Sequence, residues 1–530
     1  MLWPQLFSGN FTIFGLFIKN LSINNSLILS SFSSEALVFA NFHTTLYIHI
    51  ASWFYDVFGS DIQHLKVLNS IAIIIGMVIV FAKSSNKDRL TTLSILLLWL
   101  SLPIVTNSVH ITDPDSNIGW LIVLLVYLYL DQFLSAKTAS RYTFTMILLI
   151  FLMIWIKETT ALLVSFAFIA SSLVSRREKC FESIGVIFVS WMLFLFTYII
   201  YCEIYNIEAT NIISSFLYHS SSSSEVSIIG LKISYATKGL MIWLGFGFIL
   251  VAIFDLIDRI KSRVLNAQFI FTYTLIALGV LMLFFSGLYY PRYIVAFLLP
   301  VILEIYKNPR KEQGFDYPML LLISLYALFC VFFIQDPVLT YANMFESHSQ
   351  TLLVVLSMLM PGLLTLVYIL IVKSLNVGKL KIITFLVSIT LLHSISANYF
   401  ISTGGYSTYG NEHGRVGFSE SIDFIKNNYD NKTKVISNHI EARLYLDNPV
   451  KHIYHIGHDV PLGNGIRLPE SVDVKDLASF SEGDDLLYIN NGNVFFSDFL
   501  KDNAKIMDLL FQKEDYSVYR VNVNNIKKEP

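Results

Sequence analysis

The sequence predicts an α-helical polytopic membrane protein with 12 or 13 transmembrane helices and a C-terminal extracytoplasmic α/β domain. Three observations carry that prediction. The 530 residues are 54% hydrophobic with a mean hydropathy of +0.59, and only 14% are charged, against about 25% in an average soluble protein. The charges are unevenly spread. From Ile401 to the end there are 14 Lys and Arg and 19 Asp and Glu in 130 residues, while the first 400 residues hold the other 43. The apolar runs of those 400 residues also recur at lengths suited to a bilayer core, which needs about 20 residues per helix. Residues 1–400 therefore read as a transmembrane domain and residues 401–530 as a water-soluble domain. A disordered chain is excluded, as is a nucleic-acid partner: net charge is −2 and no basic run is long enough to follow a phosphate track.

Taken in order, the spans fall near 66–82, 91–107, 117–134, 142–156, 159–174, 183–201, 239–255, 268–286, 290–306, 318–334, 352–372 and 382–400, and the apolar residues 1–18 add a thirteenth. The connections carrying Lys83, Lys87 and Arg89, then Lys137 and Arg141, Arg176, Arg177 and Lys179, Arg259, Lys261 and Arg263, Lys307, Arg310 and Lys311, and Lys373, Lys379 and Lys381 all fall on one side. By the positive-inside rule those 17 basic residues face the cytoplasm. The tail, the first outer loop (about 19–65) and the loops 103–116 and 202–238 then lie outside. The protein reads as a multi-pass plasma (inner) membrane protein with its C-terminal domain extracytoplasmic. The first residues lack the basic start and small-residue cleavage site of a signal peptide. Cys180, Cys202 and Cys330 sit in or beside apolar segments and make no metal motif.

In the tail, 419–429 has helical spacing and 433–439 reads as a strand, followed by a short helix in IEARLYL. A second strand is expected at 484–490, a helix at 496–512 and a final strand at 516–523.

Several polar residues stand out against this background. Asp113 and Asp115, in HITDPDSN, open a helix on the outer side. A carboxylate there can act as a base, bind a cation, or simply cap the helix. FHTTLYIHIASWFYDVFGSD (42–61) is aromatic and amphipathic, suited to a helix in the outer interface. His43 and His49 within it can meet an anionic headgroup, or the stretch is only an aromatic belt. Lys157-Glu158 interrupts an apolar run; ionisable residues at membrane depth point to function, or the pair forms a tight turn. Arg292, in GLYYPRYIVAFLLP beside Tyr290, suits a phosphate grip, or an anchor stacked on tyrosines. HIYHIGH (452–458) lacks the partners of a metal site. There is no P-loop, no dinucleotide fingerprint and no Gly-x-Ser-x-Gly elbow.

The order of these stretches resembles the GT-C glycosyltransferases, in the branch of protein O-mannosyltransferases and lipid A aminoarabinose transferases. His43-Thr44-Thr45-Leu46-Tyr47 is similar to that family's His-Pro-Pro-Leu-Tyr motif, and Val57-Phe58-Gly59-Ser60 to its Leu-Phe-Gly turn. Leu65-Lys66-Val67-Leu68-Asn69 looks like its Ala-Leu-Arg helix start. Asp113-Pro114-Asp115 resembles its second outer acidic site, Lys157-Glu158-Thr159 its Lys-x-Thr break, and Pro291-Arg292-Tyr293 its late Pro-Arg-Tyr. The likeness runs through residues 40–310, and in the tail only as architecture.

The resemblance implies a GT-C-like fold and a membrane glycosyltransferase, hexosyl- or pentosyl-transferring. The donor is a sugar linked to polyprenyl phosphate, and the acceptor a cell-envelope polysaccharide or other surface glycan, a lipid or a protein on the extracytoplasmic side. Asp115 matches the second acidic site, with Asp113 beside it. His43, Lys157, Arg292 and Tyr290 are the implied substrate-binding residues. A divalent cation (Mg or Mn) or Arg and Lys side chains neutralise the leaving phosphate. Membrane lipids surround the body. The chain departs from the family in lacking the diproline and the acid that usually starts the first outer loop. Either Glu35 or Asp113 then serves as base, or activity is altered. Two other readings stay open. One is an O-antigen polymerase or ligase, against which the loop 202–238 offers only Lys232 and Lys238. The other is a non-enzymatic transporter or binding protein for lipid-linked sugar, for which no internal repeat is visible.

Overall fold

The computed structural model describes residues 11–26, 28–30, 36–38, 45–59, 64–83, 89–108, 118–136, 141–207, 209, 240, 243–263, 265–286, 292–307, 321–326, 360, 363–370, 379–402, 415–437, 442–446, 448, 450–452, 486–491, 507–513 and 516–522. The chain divides into two compact units. The larger comprises Lys66–Tyr201 and Glu225–Asn411, the smaller Met1–Leu65, Cys202–Ser224 and Glu412–Pro530. The smaller unit thus draws on three segments far apart in sequence.

The larger unit is helical. Its elements are α3 (Leu65–Lys83), α4 (Arg89–Ser101), α5 (Pro103–Ser108), α6 (Trp120–Ser135), α7 (Arg141–Ile156), α8 (Glu158–Ser175), α9 (Cys180–Tyr205), α10 (Phe246–Ser262), α11 (Ala267–Ser286), α12 (Arg292–Val295), α13 (Leu298–Ile305) and α14 (Lys379–Ser402). Residues 321–326 and 363–370 are also helical. Among the described residues, Leu65–Ala82, Glu158–Ser175, Arg177–Tyr205 and Ala267–Phe284 are long and apolar enough to cross a membrane, and Trp120–Ser135, Arg141–Ile156 and Thr384–Ile395 are shorter apolar helices. The protein is a helical membrane protein with an appended α/β region.

The sequence explains the details. The span expected at 91–107 is broken after Ser101, because Pro103 has no N–H to continue the ladder and instead starts α5. Helix α9 leaves Phe181, Phe188, Phe196 and Ile204 exposed, a face stable against lipid and not against water. Where helices meet, small polar residues let them approach: Ser172 and Ser183 hydroxyls are 2.6 Å apart, and Ser190 donates to the Ile147 carbonyl at 3.0 Å. Gly76 serves the same end in α3, since a Cβ there would lie 2.2 Å from the Trp120 ring. Trp120 in turn packs edge-on against Trp99, with centroids 5.0 Å apart.

The smaller unit begins with α1 (Phe11–Asn24), a hairpin of β1 (Ile28–Ser30) and β2 (Ala36–Val38), and α2 (Leu46–Phe58). Helix α2 realises the interfacial helix expected at 42–61. It buries Tyr47, Ile48, Ala51, Phe54 and Tyr55 on one face and exposes Trp53, Val57 and Phe58 on another.

The tail supplies α15 (Arg415–Asn428), β3 (Lys434–Ser437), α16 (Ala442–Tyr445), β4 (Val450–His452), β5 (Leu486–Asn491), β6 (Met507–Lys513) and β7 (Tyr516–Val521). The strands form one mixed sheet in the order β4-β3-β5-β7-β6, parallel through the first three and antiparallel thereafter. Leu486 to Ile489 are buried along the central strand, with Val435, Ile436, Val518 and Ile425 of α15. Gly417 lets α15 lie close to the β6–β7 hairpin, because a Cβ would fall 2.4 Å from the Lys513 carbonyl. One expectation is corrected. The helix read at 496–512 is a strand over Met507–Lys513, bulged at Leu509/Phe511 and paired with β7. Cross-strand pairing with YSVYRV overrides the helical spacing. Lys19 of α1 ties the N-terminal segment to this tail, donating from Nζ to the Leu446 carbonyl at 3.0 Å.

Candidate functional site

Lys157 is the sequence-predicted site residue whose side chain the structure places. It is 0% exposed. Helices α7 and α8 are separated by this single residue, which is extended (φ −158°, ψ 105°). Its N–H donates to the Met153 carbonyl at 2.7 Å and its carbonyl accepts from Ala161 at 3.0 Å, so one residue closes one helix and opens the next. Glu158 in the first turn of α8 suits that helix's positive end. Thr160 is fully buried. The Thr159 hydroxyl is buried without a hydrogen-bond partner among the described residues, a polar atom whose desolvation nothing there offsets.

An aromatic cluster holds the end of α7 before this break. Trp155 donates from its indole nitrogen to the Thr197 hydroxyl at 3.2 Å. Its ring meets Phe194, Tyr201 and Tyr198 at 5.2, 5.3 and 6.2 Å. The Lys157 backbone is therefore fixed by packing, as a preformed cationic site requires.

Arg292 is the first residue of α12, followed by buried Ile294, Val295 and Ala296. Glu35, His43, Asp113, Asp115 and Tyr290 lie outside the described residues, as does all of HIYHIGH but His452. Lys66 and Asn69, one turn apart at the start of α3, are both almost fully buried. Among the described residues no group of three His, Cys, Asp or Glu side chains can hold a metal ion.

The smaller unit brings other first-loop residues together. Asp56 of α2 accepts a hydrogen bond from Ser22 at the end of α1. His49 packs on Tyr205, with centroids 5.5 Å apart, and burial lowers its pKa, favouring the neutral ring. Gly59 ends α2 at φ 106°, and its carbonyl meets His64 Nδ1 at 3.3 Å.

A second polar cluster lies at the other end of the larger unit's helices. Arg259 of α10 donates from Nε to both Asp255 oxygens at 3.2 and 3.0 Å. Its other nitrogens lie 3.3 Å from Glu304 Oε2 and on the Glu304 carbonyl. Glu304 Oε1 accepts from Tyr127 at 2.7 Å and from Lys307 at 2.8 Å, and Tyr273 donates to Asp255 at 3.0 Å. Arg259, Asp255 and Glu304 are all buried. Sequence inspection passed over this cluster because Arg259 of α10 and Glu304 of α13 are 45 residues apart, and Tyr127 is 177 residues from Glu304. The readable signals were the Asp255–Arg259 spacing on one helix face and Glu304 alone in an apolar run.

The fold defines a class: a polytopic helical membrane protein with an appended α/β domain. The particular likeness is to ArnT from Cupriavidus metallidurans. The structure of that protein bound to undecaprenyl phosphate matches with a TM-score of 0.60 at 10% identity, covering 98% of this chain and 94% of the other. Its apo structure matches with a TM-score of 0.59 at 11% identity, covering 97% and 94%. No protein-family model and no curated protein sequence matches this chain.

Proposed function

We propose that this protein is a membrane glycosyltransferase that moves a sugar from a polyprenyl-phosphate donor to an acceptor hydroxyl at the outer face of the membrane. The observation that carries the reading is Lys157: a fully buried cation in a single-residue helix break, within a fold shared almost end to end with a protein captured on undecaprenyl phosphate. An ammonium at a helix break is suited to the charge of a lipid phosphate.

In this reading Lys157 and Arg292 bind the donor phosphate, with the Thr159 hydroxyl free to donate to one of its oxygens. Asp115 takes the proton of the acceptor hydroxyl, with Asp113 or Glu35 as the alternative base. The acceptor oxygen forms a bond to the anomeric carbon, and the bond from that carbon to the phosphate oxygen breaks. The electron pair goes to the phosphate, whose growing charge the two cations stabilise. His43 and Tyr290 line the lipid-phosphate side. The acceptor belongs to a cell-surface glycan, lipid or protein, and the tail helps to select it.

The test is mass spectrometry of surface polysaccharide and lipid A from cells carrying wild-type protein or Asp115→Asn. The variant is expected to insert normally and to lose the modification. Wild-type levels of modified glycan would overturn the catalytic reading of that loop.

A further inference from the structure

The buried cluster around Arg259 is not used in the transfer chemistry, yet it joins two helices through ion pairs and hydrogen bonds. We propose that Arg259 is a positioning residue: it locks the register of the segment from Arg292 to Ile305 and so fixes where Arg292 stands at the far end. The functional consequence rests on the donor-phosphate reading of Arg292; the register does not.

The geometry supports a lock. Arg259 holds the last turn of α13 at two points, the carboxylate of Glu304 at 3.3 Å and the same residue's carbonyl. That carbonyl is one of the C-terminal groups a helix leaves without an internal partner. Two contacts in different directions from one rigid guanidinium exclude both a slide along the helix axis and a rotation about it. Arg259 is itself fixed by both oxygens of Asp255, and Tyr273 fixes Asp255. Lys307 and Tyr127 hold the remaining oxygen of Glu304. Two acids, Asp255 and Glu304, thus face two bases, Arg259 and Lys307.

The segment beyond the lock transmits position. Helices α12 and α13 are joined by a two-residue turn in which Phe297 N–H donates to Ile294 at 2.9 Å and Val301 N–H to Phe297 at 3.2 Å. Residues 294–302 are buried without interruption. From Arg292 to Glu304 this makes a packed strut of roughly 18 Å at helical rise. Apolar residues of equal volume would hold such a strut as tightly as an ion pair, but apolar surfaces permit a slip of one turn, about 5.4 Å. The ion pair supplies what apolar packing lacks.

The experiment uses the full-length protein with Cys180, Cys202 and Cys330 replaced by Ala. Spin labels are placed at Arg292→Cys and, on the exposed face of α9, Ile184→Cys. Interlabel distances are measured with the native Arg259–Glu304 pair and with the double substitution Arg259→Met, Glu304→Leu. Arg259→Lys, which keeps the charge and loses the two-point hold, serves if the double variant does not fold. Undecaprenyl-phosphate affinity is measured in parallel on unlabelled protein that retains Arg292. A narrow distance distribution that broadens or splits in the variants, with lipid affinity about tenfold weaker, is expected. A distribution that stays narrow overturns the lock. Broadening with unchanged affinity overturns its link to the donor. Broadening in a protein whose wild type does not bind the lipid upholds the register role and overturns the donor reading instead.

Discussion

The two ends of the larger unit bury charge in opposite ways. At one end, Arg259 and Lys307 are interleaved with Asp255 and Glu304, and the charges are paired within the protein. At the other, Lys157 is buried in a single-residue helix break. A cluster of paired charges maintains geometry, whereas in the proposed reading the cation at the helix break meets the donor phosphate. Reading the two ends together separates residues that shape the protein from residues that serve its substrate, although both are equally buried.

The comparison predicts effects of different kind and size. The largest falls on Lys157→Met. Removing one charge-stabilising donor typically costs 10²–10³ in turnover, so transfer should fall by about that factor. The melting temperature should hold, as expected of a residue that serves the donor and not the fold. A parallel loss of fold would place Lys157 with the structural cluster. Next is Glu304→Gln, which leaves Arg259 buried with half its counter-charge; breaking such a pair costs about 3–5 kcal/mol. The thermal midpoint should drop clearly, while the double substitution Arg259→Met, Glu304→Leu should restore it. A Glu304→Gln protein as stable as wild type would contradict the paired-charge account. The smallest is Trp155→Phe, which keeps a ring against Phe194 and Tyr201 but loses the bond to Thr197, worth about 1 kcal/mol. A few-fold loss of activity with little change in melting would place the cluster beside the site, as geometry does.

A fourth prediction concerns the tail, where charge is handled in water. The Asp430 side chain accepts from the Thr433 hydroxyl and from the N–H groups of Thr433 and Lys432, which holds its carboxyl below the ordinary range. A carboxylate with a lowered folded pKa contributes stability above its ordinary pKa near 4, and loses it as pH falls through the lowered value. Wild type and Asp430→Asn should therefore differ slightly in melting at pH 7, and the difference should shrink as the pH falls below about 4. A difference that persists unchanged at pH 3 would contradict this.

Much of this fold was legible because long apolar runs carry a strong signal. The spans read at 142–156, 159–174 and 268–286 lie within two residues of α7, α8 and α11. The tail was harder. Strand β6 carries helix-compatible residues and becomes a strand only through β7, a partner the local pattern does not reveal. Strands β1, β2 and β4 are three residues each, too short for any periodicity. At the site, Lys157 announced itself as a charge inside an apolar run. The Arg259 cluster did not, because its meaning lies in a contact between α10 and α13 that spacing cannot encode.

The central claim is that the buried cation of the helix break answers a lipid phosphate. Its most direct test is the affinity of purified full-length protein for undecaprenyl phosphate, compared between wild type and Lys157→Met. Saturable binding by wild type, weakened at least about tenfold in the variant, is the predicted result; at 1.4 kcal/mol per decade this is the scale of one charge-assisted contact. Equal affinity in the two proteins, or no binding by wild type, would contradict the account.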